Sequence, residues 1–285
     1  MARIITRELA SFIAEKEPND GQAQKLAAVA AAAAALLTAN TVAHAAVPGN
    51  TVLTGDSIVA NPTVADYARN KANLMANTGV GCVTDGSIAY EIARTSGAHV
   101  DQYQCAGASF ATGGYHIDNS LRTAAQRGDL NPQTKNVVIV AGANDTYPYM
   151  ADIQGSERAL RNGLGSAINV ARYYAPSAKI TVVGYPRVTV NNNTCLTSSI
   201  IPLPISQVPA TENRLQNTLR EVAQANGATF LDAWPISTGH STCSPDRWWV
   251  NLVDPVPPAP GNLPLHLNAN GTHAYGQLIG RNIAR

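Results

Sequence analysis

Charge is scarce in this chain. Only 14% of its 285 residues are charged, 20 Lys+Arg stand against 19 Asp+Glu for a net charge of +1, and no basic block or aromatic-basic interleaving occurs. A phosphate-binding track needs clustered cations, so nucleic acid is not an expected partner. Zinc-type spacing is missing as well: Cys82, Cys105, Cys195 and Cys243 form no C-x-x-C. Asp145 beside Asn144 and Asp246 beside Arg247 are acidic, but no His/Asp/Glu cluster surrounds them. Neither a metal nor a cofactor is expected. No internal repeat breaks the chain, and 45% hydrophobic residues over this length suffice for one sizeable core.

The first 45 residues read differently from the rest. A polar, mixed-charge start runs to Lys25, an apolar Ala-rich run follows from Leu26 to Leu37, and Ala43-His44-Ala45 precedes Ala46. The apolar run is about a dozen residues, below the roughly 20 that a bilayer-spanning helix needs. Cation, short hydrophobic segment and small-x-small site in this order predict a secretory signal peptide over 1–45, with an uncleaved anchor as the alternative because the polar start is long. The folded domain is then 46–285, secreted or held at the cell envelope, and a monomer is expected. In that compartment the four cysteines predict two disulfides. Three pairings are possible, and the short-loop choice, Cys82 with Cys105 and Cys195 with Cys243, is preferred.

Thr51 to Leu53, Val137 to Val140, Ile180 to Val183 and Thr229 to Leu231 are short β-branched runs that read as buried strands. Between them, Leu160, Leu164, Ala167, Ile168 and Ala171 recur at helical spacing up to Pro176. A second helix is predicted from Thr211 as N-cap to Asn226-Gly227. Strand and helix in alternation predict an α/β fold with a parallel sheet covered on both faces, whose ligands bind at the carboxyl edge of the strands. Pro255, Pro257, Pro258 and Pro260 form a stiff loop expected near the mouth of the site.

Three motifs follow strands or occupy the last loop. Gly55-Asp56-Ser57 ends the first strand, Gly142-Ala143-Asn144-Asp145 follows the second, and His266-Leu267-Asn268 precedes a helical C-terminus read as Ala274 to Ile283. Taken singly, each has a plain explanation: Asp56-Ser57 caps a helix, Gly-Ala-Asn-Asp makes a turn, and a histidine hydrogen-bonds at the surface. His273 competes with His266 as a base.

Together and in this order, the three motifs resemble the first, third and fifth sequence blocks of the SGNH (GDSL-like) hydrolases, over nearly the whole mature chain. Cys105-Ala106-Gly107-Ala108 falls where the second block supplies a glycine. The four cysteines and Gly184-Tyr185-Pro186 resemble the secreted actinobacterial esterase/lipase branch. The resemblance implies a three-layer α/β/α sandwich of the flavodoxin-like kind and a serine esterase. Ser57 would be the nucleophile and His266 its base, with Ser57 N–H, Gly107 N–H and the Asn144 amide as the oxyanion hole. The substrate would be a carboxylic ester, a lipid or an acylated glycan. One departure stands out: the family's aspartate three residues before the histidine is Leu263 here. A Ser-His dyad is therefore expected, its imidazole held by a backbone carbonyl within Asn262 to Pro264, or alternatively by Asp254. Trp234, Trp248, Trp249, Tyr147 and Tyr149 either line an acyl or sugar pocket or pack a core edge. An acyltransferase sharing the same acyl-enzyme, and a non-catalytic envelope-binding protein on the same fold, are the competing readings.

Overall fold

The computed structural model describes residues 47–195, 207–252 and 262–285. Segment 1–45, Asp254 and the proline cluster lie outside the described residues. Among the described residues, five strands make one sheet: β1 (Thr51–Gly55), β2 (Val100–Gln102), β3 (Asn136–Val140), β4 (Lys179–Val183) and β5 (Thr229–Leu231), in the order β2-β1-β3-β4-β5. Every pair is parallel. The reason lies in the sequence: β3 is Asn-Val-Val-Ile-Val and buried throughout, because a central parallel strand presents both faces to helices.

The helices are α1 (Ser57–Ala60), α2 (Val64–Lys71), α3 (Ser87–Ser96), α4 (Ile117–Gln126), α5 (Ile153–Tyr174), α6 (Gln207–Ala225), α7 (Trp234–Ser237) and α8 (Ala269–Ile283). The first and last long ones, α3 and α8, pack together, and α5 packs between α4 and α6. Two helical layers thus enclose the sheet in the α/β/α arrangement. In α5 the stripe Leu160, Leu164, Ala167, Ile168 and Ala171 is buried, Asp152 caps the N-terminus by accepting the Gly155 N–H, and the helix ends before Pro176.

Two helix boundaries and one strand differ from the sequence reading. Helix α6 is described from Gln207 onward, so Thr211 lies inside it and is not its N-cap. Helix α8 begins at Ala269, five residues before the expected start, with Asn268 as N-cap accepting the Gly271 N–H at 3.0 Å. The short, half-buried strand β2 was not anticipated, because Val-Asp-Gln carries no apolar run. The four cysteines pair as Cys82–Cys105 and Cys195–Cys243. Two such bonds suit an oxidising compartment.

In this strand order β2 is added on one side of β1 and β3 on the other, so the connections leaving β1 and β3 part to opposite faces and open a crevice at the carboxyl edge. Gly55 of β1 is level with Val140 of β3. The first and third motifs therefore leave the sheet side by side.

Candidate active site

The Gly55-Asp56-Ser57 turn is fixed by close approach. A Cβ on Gly55 would lie 2.3 Å from the Val140 carbonyl oxygen and 2.5 Å from Val59 Cγ2, so a glycine is needed for the turn to lie against β3. Asp56 N–H donates to Val140 O at 2.9 Å, and Asp56 Oδ1 accepts the Ile58 N–H at 2.9 Å, capping α1. Ser57 is thereby set at the first position of α1, just past the end of β1.

The loop after β2 runs along the other side of β1. Cys105 N–H donates to Gly55 O at 2.9 Å, and the Cys82–Cys105 bond ties this loop to the segment that follows α2. Gly107 has φ +87°, a left-handed conformation that disfavours any residue with a Cβ. Asn144, on a 3-10 turn after β3, donates one amide N–H to Ala108 O at 2.7 Å. An amide has two N–H groups, so this bond orients the second without consuming it. Ser57, Gly107 and Asn144 thus sit on three turns at the ends of neighbouring strands.

Asp145 locks two of these turns together. Its Oδ2 accepts the Phe110 N–H at 2.9 Å, and its Oδ1 accepts the Ala111 and Thr112 N–H groups at 2.8 and 3.1 Å. The side chain is buried and its oxygens are occupied by backbone donors. Asp246, the other acidic position considered, pairs with His240 at 3.1 Å.

His266 lies in the loop before α8, and its Nδ1 is 2.8 Å from Pro264 O. A carbonyl accepts only, so Nδ1 carries the proton and Nε2 of the neutral ring is left with a lone pair. Burial lowers the imidazole pKa below its ordinary 6.5, against carbonyls of Pro264 and Leu263 that raise it. The loop is held on both sides: Val250 N–H donates to His266 O at 2.8 Å, and Leu263 N–H to Pro62 O at 3.2 Å. Asn61, at the end of α1 and fully buried, donates to Leu267 O and to Thr272 Oγ1, both at 3.1 Å. One side chain therefore couples the turn bearing Ser57 to the loop bearing His266. Leu265 takes φ +62°, strain of a kind that concentrates at functional sites. His273 is elsewhere: it sits on α8, exposed, 3.1 Å from Glu91 of α3.

A cleft of about 430 Å³ opens at this edge, lined by Ile58, Tyr147, Tyr185, Trp234, Trp249 and Leu265 among others. Ile58 and Leu265 are the immediate chain neighbours of Ser57 and His266. Of the five aromatic residues considered, Tyr147, Trp234 and Trp249 line the cleft, Trp248 is buried and stacked on His240, and Tyr149 lines a separate, smaller cavity.

Sequence reading missed the buried linkers Asp145, Asn61 and Tyr185. Asp145 had a signal in its place beside Asn144, and Tyr185 in its place after β4. Asn61 had none.

The profile of the GDSL-like lipase/acylhydrolase family matches residues 53–274. Lipase 2 of Streptomyces coelicolor is 27% identical over 212 residues, covering 63% of this chain and 70% of that protein. Among solved structures, phospholipase A1 from Streptomyces albidoflavus has a TM-score of 0.58 at 22% identity, covering 84% of this chain and 100% of the other. The extracellular lipase from Streptomyces rimosus has a TM-score of 0.57 at 20% identity, over 83% of this chain and 99% of its own. At these identities the two structures speak for the fold, and the sequence profile for the family. The chain belongs to the GDSL-like lipase/acylhydrolase family and is an ester-hydrolysing enzyme.

Proposed function

We propose that this enzyme is a secreted serine esterase or lipase working through a Ser57-His266 dyad, on lipid or acylated-carbohydrate esters whose acyl group enters the apolar cleft. The observation that carries the reading is the bond between His266 Nδ1 and Pro264 O. It holds the tautomer whose Nε2 can take the Ser57 proton, the orienting task that a triad gives to its aspartate. Ser57 Oγ attacks the ester carbonyl as Nε2 takes the hydroxyl proton, giving a tetrahedral oxyanion. The Ser57 and Gly107 N–H groups and the Asn144 amide receive that charge. The imidazolium gives its proton to the leaving alkoxide, which departs as an alcohol and leaves the acyl group on Ser57 Oγ. Water, deprotonated by the same imidazole, then releases the acid.

A carbonyl supplies less electrostatic support to an imidazolium than a carboxylate, and burial further disfavours the charged ring. The cleft's aromatic and aliphatic lining favours an apolar acyl chain over a charged one. Two disulfides and the signal-peptide pattern of 1–45 support export.

Residues 46–285 produced in an oxidising compartment and treated with a fluorophosphonate probe should carry the adduct on Ser57, and Ser57→Ala should carry none. Asp254→Ala should keep its turnover. An inert Ser57 on folded protein defeats the serine mechanism, and a dead Asp254→Ala defeats the dyad. A panel of esters with an added alcohol acceptor separates hydrolysis from acyl transfer.

A further inference from the structure

The geometry points to Tyr185 as a positioning residue of the oxyanion hole, its hydroxyl holding the nucleophile turn and the Asn144 turn at a fixed separation through Asp56 and Ala143. This inference rests on the dyad reading given above.

Tyr185 follows Gly184 at the end of β4, one strand beyond β3, and its side chain is buried. Its hydroxyl donates to Asp56 Oδ2 and accepts the Ala143 N–H at 3.0 Å. Asp56 immediately precedes Ser57, and Ala143 immediately precedes Asn144. A single oxygen therefore bridges the residues that immediately precede two of the three proposed oxyanion donors. The third is one bond further on, since Asn144 donates to Ala108 O and Ala108 adjoins Gly107.

Asp56 and the backbone that carries Tyr185 are each held from a second side. Asp56 is 0% exposed, with its N–H on Val140 O and its Oδ1 on the Ile58 N–H. Gly184 is anchored by its own N–H to Leu231 O and by its carbonyl to the Tyr275 hydroxyl at 2.9 Å. The Tyr185 ring lines the cleft, while the hydroxyl reaches Asp56 and Ala143. Ring and hydroxyl thus have separable tasks: the ring contacts what enters the cleft, and the hydroxyl spaces the donors. Burial pushes the Asp56 carboxyl up to about 7, and the Tyr185 bond is the strongest influence holding it down. Both bonds to Asp56 come from donors, the complement that suits a carboxylate. Preorganised donors contribute to rate only when they are held at the spacing the transition state requires.

Tyr185→Phe keeps the ring and deletes the hydroxyl. With a p-nitrophenyl ester, kcat should fall about 10- to 100-fold while KM stays within about twofold, the pattern of a loss confined to the transition state. Fluorophosphonate labelling of Ser57 should slow in parallel. Tyr103→Phe is the control: it also deletes a buried hydroxyl, one that donates to Asp129 at 2.5 Å, and it should keep wild-type kcat. Should Tyr185→Phe fail to fold by circular dichroism, Asp56→Asn carries the same expectation, since an amide has a single acceptor oxygen for the Ile58 N–H and the Tyr185 hydroxyl that the two carboxylate oxygens receive separately. Wild-type kcat in a folded Tyr185→Phe, or a rise in KM with kcat unchanged, overturns the inference while leaving the dyad intact. Undiminished turnover in Ser57→Ala overturns the dyad reading, and the inference falls with it.

Discussion

Replacing Asp145 by alanine removes the carboxylate that joins the loop after β2 to the turn after β3. Three backbone N–H groups, those of Phe110, Ala111 and Thr112, lose their acceptor. Phe110 is buried, and stranding its N–H costs about 1 to 3 kcal/mol. Ala111 and Thr112 are half-buried and regain part of their loss from water, leaving about 1 kcal/mol each. The total is about 3 to 5 kcal/mol. For a folded region of this size 1 kcal/mol moves Tm by about 2 to 4 °C, so Tm should fall by about 10 °C. Because Gly107 and Asn144 stand on the two segments that Asp145 joins, kcat should fall as well, by about 10-fold or more, with KM little changed. Calorimetry and urea unfolding give the stability, and p-nitrophenyl ester turnover gives the rate. A shift in Tm below about 2 °C with wild-type kcat would refute the clamp.

Other consequences are equally accessible. Asn144→Ala should cost about 100- to 1000-fold in kcat with the fold intact, measured with the same ester, because the proposed mechanism loses one of its oxyanion donors. On the proposed dyad, kcat/KM plotted against pH should be full at neutral pH and fall with acidification through a midpoint below 6.5, since burial lowers the His266 pKa and only a neutral ring could accept the Ser57 proton. The same shift means that the unfolded chain takes up a proton at a higher pH than the native one, so His266 also withdraws stability as pH falls from 6.5; an acid limb centred above 6.5 would contradict this. Opening Cys82–Cys105 by a double serine substitution should cost about 3 kcal/mol in urea unfolding on the chain-entropy account, for a separation of 23 residues.

The parts of the fold that were legible are those in which one local signal suffices. Val137 to Val140 is a β-branched run buried on both faces, and the α5 stripe repeats at helical spacing until Pro176. Where a boundary depends on a cap, the sequence misleads: Asn268-Ala-Asn-Gly looks like a turn, yet Asn268 opens α8. Strand β2 carries too little apolar character to announce itself, and its pairing is supplied by β1.

At the site, the motifs that mark the family were legible in order and spacing, and the strand ends bring the turns that carry them side by side. The groups that position them were not. Asp56 and Tyr185 are 129 residues apart, and Asn61 reaches Leu267 across 206. Such pairs exist only once the sheet has brought strand ends and loops together. The carbonyl that His266 Nδ1 meets carries no side-chain signature at all; the absence of an aspartate at Leu263 is what pointed to a backbone group there.

Trapping the acyl-enzyme tests the central claim most directly. The wild-type protein mixed with excess p-nitrophenyl ester and quenched in acid during turnover should show one added acyl mass, mapped by peptide mass spectrometry to Ser57, and Ser57→Ala should show neither the adduct nor turnover. An acyl group on another residue, or undiminished turnover in Ser57→Ala, would contradict the account.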